Sequence, residues 1–62
     1  MDAYTLLYDR DAFGRFWGYL HELDLELEAP NFEDLKLLAT VTIQQTTGVN
    51  APAIVYVHIG SL

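Results

Sequence analysis

The 62-residue sequence lacks cysteine altogether and contains only three basic residues. Without cysteine, neither a disulfide framework nor a thiolate metal site can hold the chain together, which suits a reducing compartment. With three cations, the chain is poorly equipped to bind a phosphate backbone or to place aromatic side chains among basic ones, as RNA-binding sheets do. The hydrophobic fraction of 52% argues against disorder and predicts a single small domain over residues 1–62.

Targeting signals are also missing. The first residues, MDAYTLLYDRD, are acidic where a secretory signal peptide would be basic. The longest run without Asp, Glu, Lys or Arg, residues 37–62, is rich in Thr, Gln and Asn and does not read as a membrane span. We therefore expect a cytoplasmic protein that does not associate with membranes.

Acidic residues are abundant but confined to one half of the chain. The net charge is −6, and all nine acidic residues lie between positions 2 and 34. With two arginines, residues 1–34 carry −7, whereas residues 35–62 carry +1 from Lys36 alone. Such a surface repels nucleic acids and attracts basic protein surfaces, over a distance of about 8–10 Å at physiological salt.

The first half predicts a strand followed by a helix. Residues 4–8 (YTLLY) have strand composition, and Asp9 or Asp11 offers an N-cap for a helix over residues 10–22. Gly14 and Gly18, four positions apart, would allow close approach of a bulky group or a second helix. The core face of this helix combines positions spaced i, i+3, i+4 and i+7: Phe13, Phe16, Trp17 and Leu20.

The second half predicts a strand, a short helix and a hairpin. The alternating stretch LDLELEA, residues 23–29, indicates a strand with leucines inward and acids outward, and Asn31 begins a helix of one or two turns. Residues 38–45 and 53–59 then form the arms of the hairpin. The order β-α-β-(short α)-β-β predicts an α+β fold with one main helix packed on a small, mostly antiparallel sheet. The other sheet face would be open and carry Thr40, Thr42, Gln44, Tyr56 and His58.

The acids suggest a binding surface. Alternate strand residues lie about 6.6–6.8 Å apart, so Asp24, Glu26 and Glu28 would form a regular row of negative charge resembling a nucleic-acid backbone. The plainer alternative is a solvated strand face that protects a sheet edge from aggregation. Further acids that we expect at the binding surface are Asp9, Asp11, Glu22, Glu33 and Asp34.

Catalytic and metal-binding patterns are not apparent. The EF-hand spacing, the Ser-His-Asp order and the phosphate-binding glycine loops do not occur, and neither histidine has a second His or Cys at ligand spacing. We therefore predict no enzyme activity, no cofactor and no metal site.

In length, lack of cysteine and clustered acids, the chain resembles the small acidic phage-encoded inhibitors, the anti-CRISPR and anti-restriction DNA mimics. The resemblance is to the class, which shares no motif. It implies stoichiometric blocking of a basic, nucleic-acid-binding protein or complex of the bacterial host, by a monomer or homodimer. The neutral C-terminal half departs from this class, and only one flank would mimic phosphates.

The alternative function is a small homodimeric interaction module or an accessory subunit. In that case the open sheet face would be the interface and the acids would only maintain solubility. Tyr56 and His58 on this face, together with Tyr19 on an exposed side of the predicted helix, would form a second interface, since exposed tyrosines are common anchors at protein contacts.

Overall fold

A computed structural model describes residues 3–60 and has one helix packed on a four-stranded sheet. The predicted α+β class, with one main helix on a small, mostly antiparallel sheet, is confirmed. The positions of the helix and of two strands differ from the prediction. The elements in chain order are β1 (Ala3–Arg10), β2 (Phe16–Leu20), β3 (Leu25–Ala29), α1 (Phe32–Thr47) and β4 (Ala53–His58).

The sheet has the strand order β3-β2-β1-β4. β1 pairs antiparallel with β2 and parallel with β4, and β2 pairs antiparallel with β3. The helix packs on one face, mainly over β2 and β3. The fully buried core between the two layers consists of Leu6, Leu20, Ala29, Leu35, Ala39 and Ile43.

The predicted helix over residues 10–22 is wrong, because this segment forms the turn between β1 and β2 and the whole of β2. Asp11 Oδ1 accepts from the backbone N–H of Phe13 at 2.8 Å and of Arg15 at 3.0 Å. Gly14 has a φ of 84°, which glycine adopts at little cost. Asp11 thus performs the capping chemistry expected of it, but in a turn. As a result, Phe13 is 91% exposed instead of buried.

Gly18 does allow bulky side chains to approach its backbone closely, although it lies in a strand and not in a helix. A Cβ atom at this position would lie 2.8 Å from Leu6 Cδ1 and 3.4 Å from Leu35 Cδ2. Phe16, Gly18 and Leu20 therefore share the helix-facing side of β2, and the side chains of Leu6 and Leu35 fill the space above Gly18.

The predicted first hairpin arm, residues 38–45, is also wrong, because α1 runs through it to Thr47. Asn31 is the N-cap, as predicted, and accepts from Asp34 N–H at 2.8 Å. The β-branched residues in the middle of α1, positions 40–43, each reduce helix propensity by only a few tenths of a kcal/mol. Burial of Leu35, Ala39 and Ile43, spaced four apart, outweighs this cost.

The second arm, 53–59, is confirmed as a strand, β4, but it pairs in parallel with β1 instead of forming a hairpin. This pairing reverses the expected faces. Tyr56 lies beside Leu6 on the helix side, whereas Val55 and Val57 are on the other face and are 54% and 40% exposed. Thr40, Thr42 and Gln44, which were expected on the open face, belong to the helix.

Within residues 3–60, no helix has both the length and the apolar character needed to cross a membrane.

Candidate functional site: the open sheet face

The helix covers one face of the sheet and leaves the other uncovered by any element of residues 3–60. Alternation along each strand and the pairing registers define which side chains lie on this face. We call this surface the open sheet face, and its central residues are Thr5, Leu7, Trp17, Tyr19, Glu26, Glu28, Val55 and Val57.

The open sheet face changes from apolar to acidic across the strands. One row of directly paired residues runs from Val57 on β4 through Leu7 and Tyr19 to Glu26 on β3. Next to it, Trp17 pairs with Glu28. With strands about 4.8 Å apart, this change occurs over roughly 14 Å.

Aromatic side chains border the acidic edge. Trp17 is 38% exposed, a large fraction for tryptophan, and it lines a shallow groove with Glu26, Glu28 and the backbone of β2 and β3. Exposed aromatic residues are enriched at protein-binding surfaces, since the rings contribute contact area at low entropic cost.

The predicted acidic row is present, although its first member lies outside the strand. Asp24 precedes β3 with a φ of 54° and accepts a hydrogen bond from the Tyr19 hydroxyl. This hydrogen bond raises the pKa of Tyr19 above its usual value of 10.0. Asp24 therefore reaches the same face as Glu26 and Glu28, so the three carboxylates line one edge.

Glu28 and Glu26 differ in their neighbours. Arg15 Nε lies 3.4 Å from Glu28 Oε2, in a pair in which both side chains are about half exposed or more. Such a pair contributes little to stability. The structure records no ion pair for Glu26 within the described residues, so its charge is directed to solvent.

Three other predicted binding acids make contacts within the fold. Glu22 accepts from the Thr5 backbone N–H at 2.7 Å and from Thr5 Oγ1 at 3.1 Å. The backbone hydrogen bond lowers the pKa of Glu22 below its usual value of 4.5. Asp9 Oδ1 lies 3.2 Å from His58 Nε2, and Asp11 holds the β1–β2 turn.

The remaining two acids, Glu33 and Asp34, lie in the first turn of α1, where negative charge favours the helix dipole. Glu33 pairs with Lys36 at 3.3 Å, and Asp34 contacts the N-cap Asn31. Since the helix packs on the opposite face of the sheet, these two are separated from the row of Asp24, Glu26 and Glu28.

The proposed second interface is divided between the two faces. Tyr19 lies on the open sheet face, but Tyr56 and His58 do not. The Tyr56 ring contacts Phe32 edge-on at 5.8 Å between centroids, and the His58 ring lies 5.2 Å from that of Tyr8. Both side chains thus belong to an aromatic cluster beside the helix N-terminus.

The predicted helix placed Trp17 in the core. The predicted hairpin placed Tyr56 and His58 on the open face, which left Val55 and Val57, on the other side of the same strand, covered. The signal for Trp17 was the alternation in FWGYL, which separates Phe16, Gly18 and Leu20 from Trp17 and Tyr19. For the two valines no signal was available, because the alternation of β4 is the same whichever face the helix covers.

Among residues 3–60, no three His, Cys, Asp or Glu side chains form a group that could hold a metal ion. Comparisons of the chain with protein-family models, curated proteins and solved structures find no match.

Proposed function

We propose that the chain is a non-enzymatic binding protein that places the acidic edge of its open sheet face in the nucleic-acid groove of a basic partner. The observation that carries this proposal is the shared placement of Asp24, Glu26 and Glu28 at one edge of an uncovered face, next to the exposed ring of Trp17. The partner would be a nucleic-acid-binding protein or complex of a bacterial host, and the inhibitor would act in the cytoplasm.

The physical basis is competition for cations. A nucleic-acid groove binds phosphates through Lys and Arg, and the acidic edge offers those cations alternative partners. On β3, Glu26 and Glu28 are alternate strand residues about 6.6–6.8 Å apart, and Asp24 extends the row before the strand. Trp17 and Tyr19 would add contacts to the partner that phosphates do not make. Binding is stoichiometric, it needs no cofactor, and it prevents the partner from holding nucleic acid.

Electrostatic binding of this kind weakens as salt increases, because counterions compete for both surfaces. Glu28 is partly neutralised by Arg15, so Arg15→Gln would expose a further negative charge and strengthen binding. In contrast, Glu33 and Asp34 lie in the helix layer and contribute only to the long-range field.

The test compares two variants with the same change in charge. Glu26→Gln/Glu28→Gln removes two charges from the open sheet face, and Glu33→Gln/Asp34→Asn removes two from the helix layer. Each immobilised protein is exposed to a bacterial lysate and eluted first with a DNA duplex and then with a salt gradient.

We expect a nucleic-acid-binding protein that DNA elutes from the wild type and from the helix-layer variant but not from the open-face variant. Equal capture by both variants would contradict a role for the acidic edge. If Trp17→Ala abolished capture while Glu26→Gln/Glu28→Gln did not, the face would bind through apolar contacts and the acids would only maintain solubility.

A further inference from the structure

β4 is the least protected strand of the sheet. It forms one edge, and its outer side has no strand partner within residues 3–60. The helix lies mainly over β2 and β3, so β4 is exposed on the open sheet face and only partly covered on the helix side, where Ile54 packs against the core and Tyr56 against Phe32. Strands in parallel pairs are usually buried, and an apolar, uncharged edge strand readily pairs with another chain.

The two edges of the sheet differ sharply in charge. β3 carries Glu26 and Glu28, which discourage edge pairing, whereas β4 (AIVYVH) contains no acidic or basic residue other than His58. Because all nine acids lie in residues 1–34, two copies joined at β4 bring together strands that contain no carboxylate. A strongly charged partner would find no row of opposite charges on β4 to pair with.

From these observations we infer that two copies of the chain pair antiparallel through β4 and form a continuous eight-stranded sheet. Because a two-fold axis relates identical strands, the contact is self-complementary and closes as a dimer. The inference does not depend on the proposed partner binding, which uses the opposite edge.

The backbone specifies the register. Ile59 N–H donates to the Tyr8 carbonyl at 2.9 Å, so odd-numbered residues of this segment direct their backbone groups to β1. Even-numbered residues, among them Tyr56, direct theirs to the free edge. When Tyr56 of one copy pairs with Tyr56 of the second copy on the two-fold axis, the outward backbone N–H and C=O groups of both β4 strands find hydrogen-bond partners along the full strand length.

In this register Val55 of one copy lies opposite Val57 of the second copy, on the joined open sheet faces. Ile54 lies opposite His58 of the second copy on the helix side. The acidic edges lie at the two ends of the eight-stranded sheet, about 34 Å apart for seven strand spacings of roughly 4.8 Å. Repulsion between them is therefore largely screened at physiological salt.

The first experiment measures mass by sedimentation equilibrium for the wild type and two matched variants. Val55→Lys/Val57→Lys places lysine opposite lysine across the dimer, and Val55→Lys/Val57→Glu places lysine opposite glutamate. We expect the wild type and the second variant to have twice the 7.0 kDa mass of one chain. The first variant should dissociate about tenfold more readily or remain a monomer.

A monomeric wild type would overturn the inference, and so would a dimer unaffected by the two lysines. A folded but monomeric Val55→Lys/Val57→Glu variant would overturn the antiparallel register. Circular dichroism of each variant shows whether the single chain is still folded.

Cross-linking gives a second test that does not rely on charged substitutions. In the inferred register, Cα atoms of Tyr56 in the two copies lie about 5.5 Å apart, within the range of a disulfide. Tyr56→Cys should therefore form a covalent dimer under mild oxidation. Val41→Cys, at an exposed helix position, is the control and should remain a monomer. Equal cross-linking of both variants would contradict the β4 contact.

Discussion

Glu22 shows at the scale of one residue how a carboxylate predicted to bind a partner instead stabilises the fold. Its hydrogen bonds from Thr5 connect the β2–β3 turn to β1 and hold the pKa of Glu22 below its usual value. A lowered pKa in the folded chain means that these bonds contribute stability above about pH 4.5, the usual value. The contribution disappears as the pH falls through the folded-state pKa.

Glu22→Gln should therefore lower the melting temperature at pH 7 by a few degrees, equivalent to less than about 1 kcal/mol for this solvent-exposed group. The difference from wild type should shrink as the pH falls from about 4.5 through the lower folded-state pKa, below which both proteins carry a neutral side chain. Thermal unfolding followed by circular dichroism at a series of pH values measures this. Glu26→Gln is the matched control, and an equal effect at Glu26 would contradict a specific role for Glu22.

The difference between an acid directed to solvent and an acid that accepts hydrogen bonds within the fold explains how much of the candidate site could be predicted. The alternation of LELE determines which side chains share a strand face, so the acidic row was visible in the sequence. Whether an acid also meets a backbone N–H depends on contacts distant in sequence. Glu22 and Thr5 are 17 residues apart, and no local pattern brings them together.

At the scale of elements, the segments with one dominant pattern were predicted correctly and the ambiguous ones were not. β1 has no competing periodicity. For β3, Leu20, Leu23 and Leu27 also fit helical spacing, but strict alternation over six residues favours the strand. In residues 10–22, helical spacing and strand alternation both fit the aromatic residues, and Asp11 with Gly14 determines the turn. In α1, the β-branched residues favoured a strand locally, but burial of Ile43 against the sheet outweighs that preference.

The N-cap of α1 is a feature of this helix that can be tested directly. The Asn31 side chain accepts from Asp34 N–H at 2.8 Å and satisfies one of the unpaired donors of the first turn. Asn31→Ala should lower the free energy of unfolding by about 1 kcal/mol, within a usual range of 0.5–2 kcal/mol. Urea denaturation measures this value. Asn31→Ser, which also caps, should remain close to wild type, and equal losses in both variants would show that the cap is not the cause.

For the whole molecule, the segregation of charge joins the fold to the two proposals. The acidic strand β3 and the nearly uncharged strand β4 lie at opposite edges of one sheet, because they are its outermost strands. One edge can therefore bind a basic partner while the other pairs with a second copy. A dimer of this form would present two acidic edges and could engage two sites on one extended partner with increased avidity.

The same segregation predicts how salt affects stability. A chain with a net charge of −6 and its acids on one half repels itself, and raising the salt concentration from about 0.01 to 0.15 M shortens the Debye length from about 30 to 8 Å. The melting temperature should therefore rise by a few degrees over this range. Glu26→Gln/Glu28→Gln should reduce the rise, because it removes two neighbouring like charges, and thermal unfolding at fixed protein concentration measures both. A melting temperature that fell with salt would instead mean that attractive pairs such as Arg15–Glu28 outweigh the repulsion along the acidic edge.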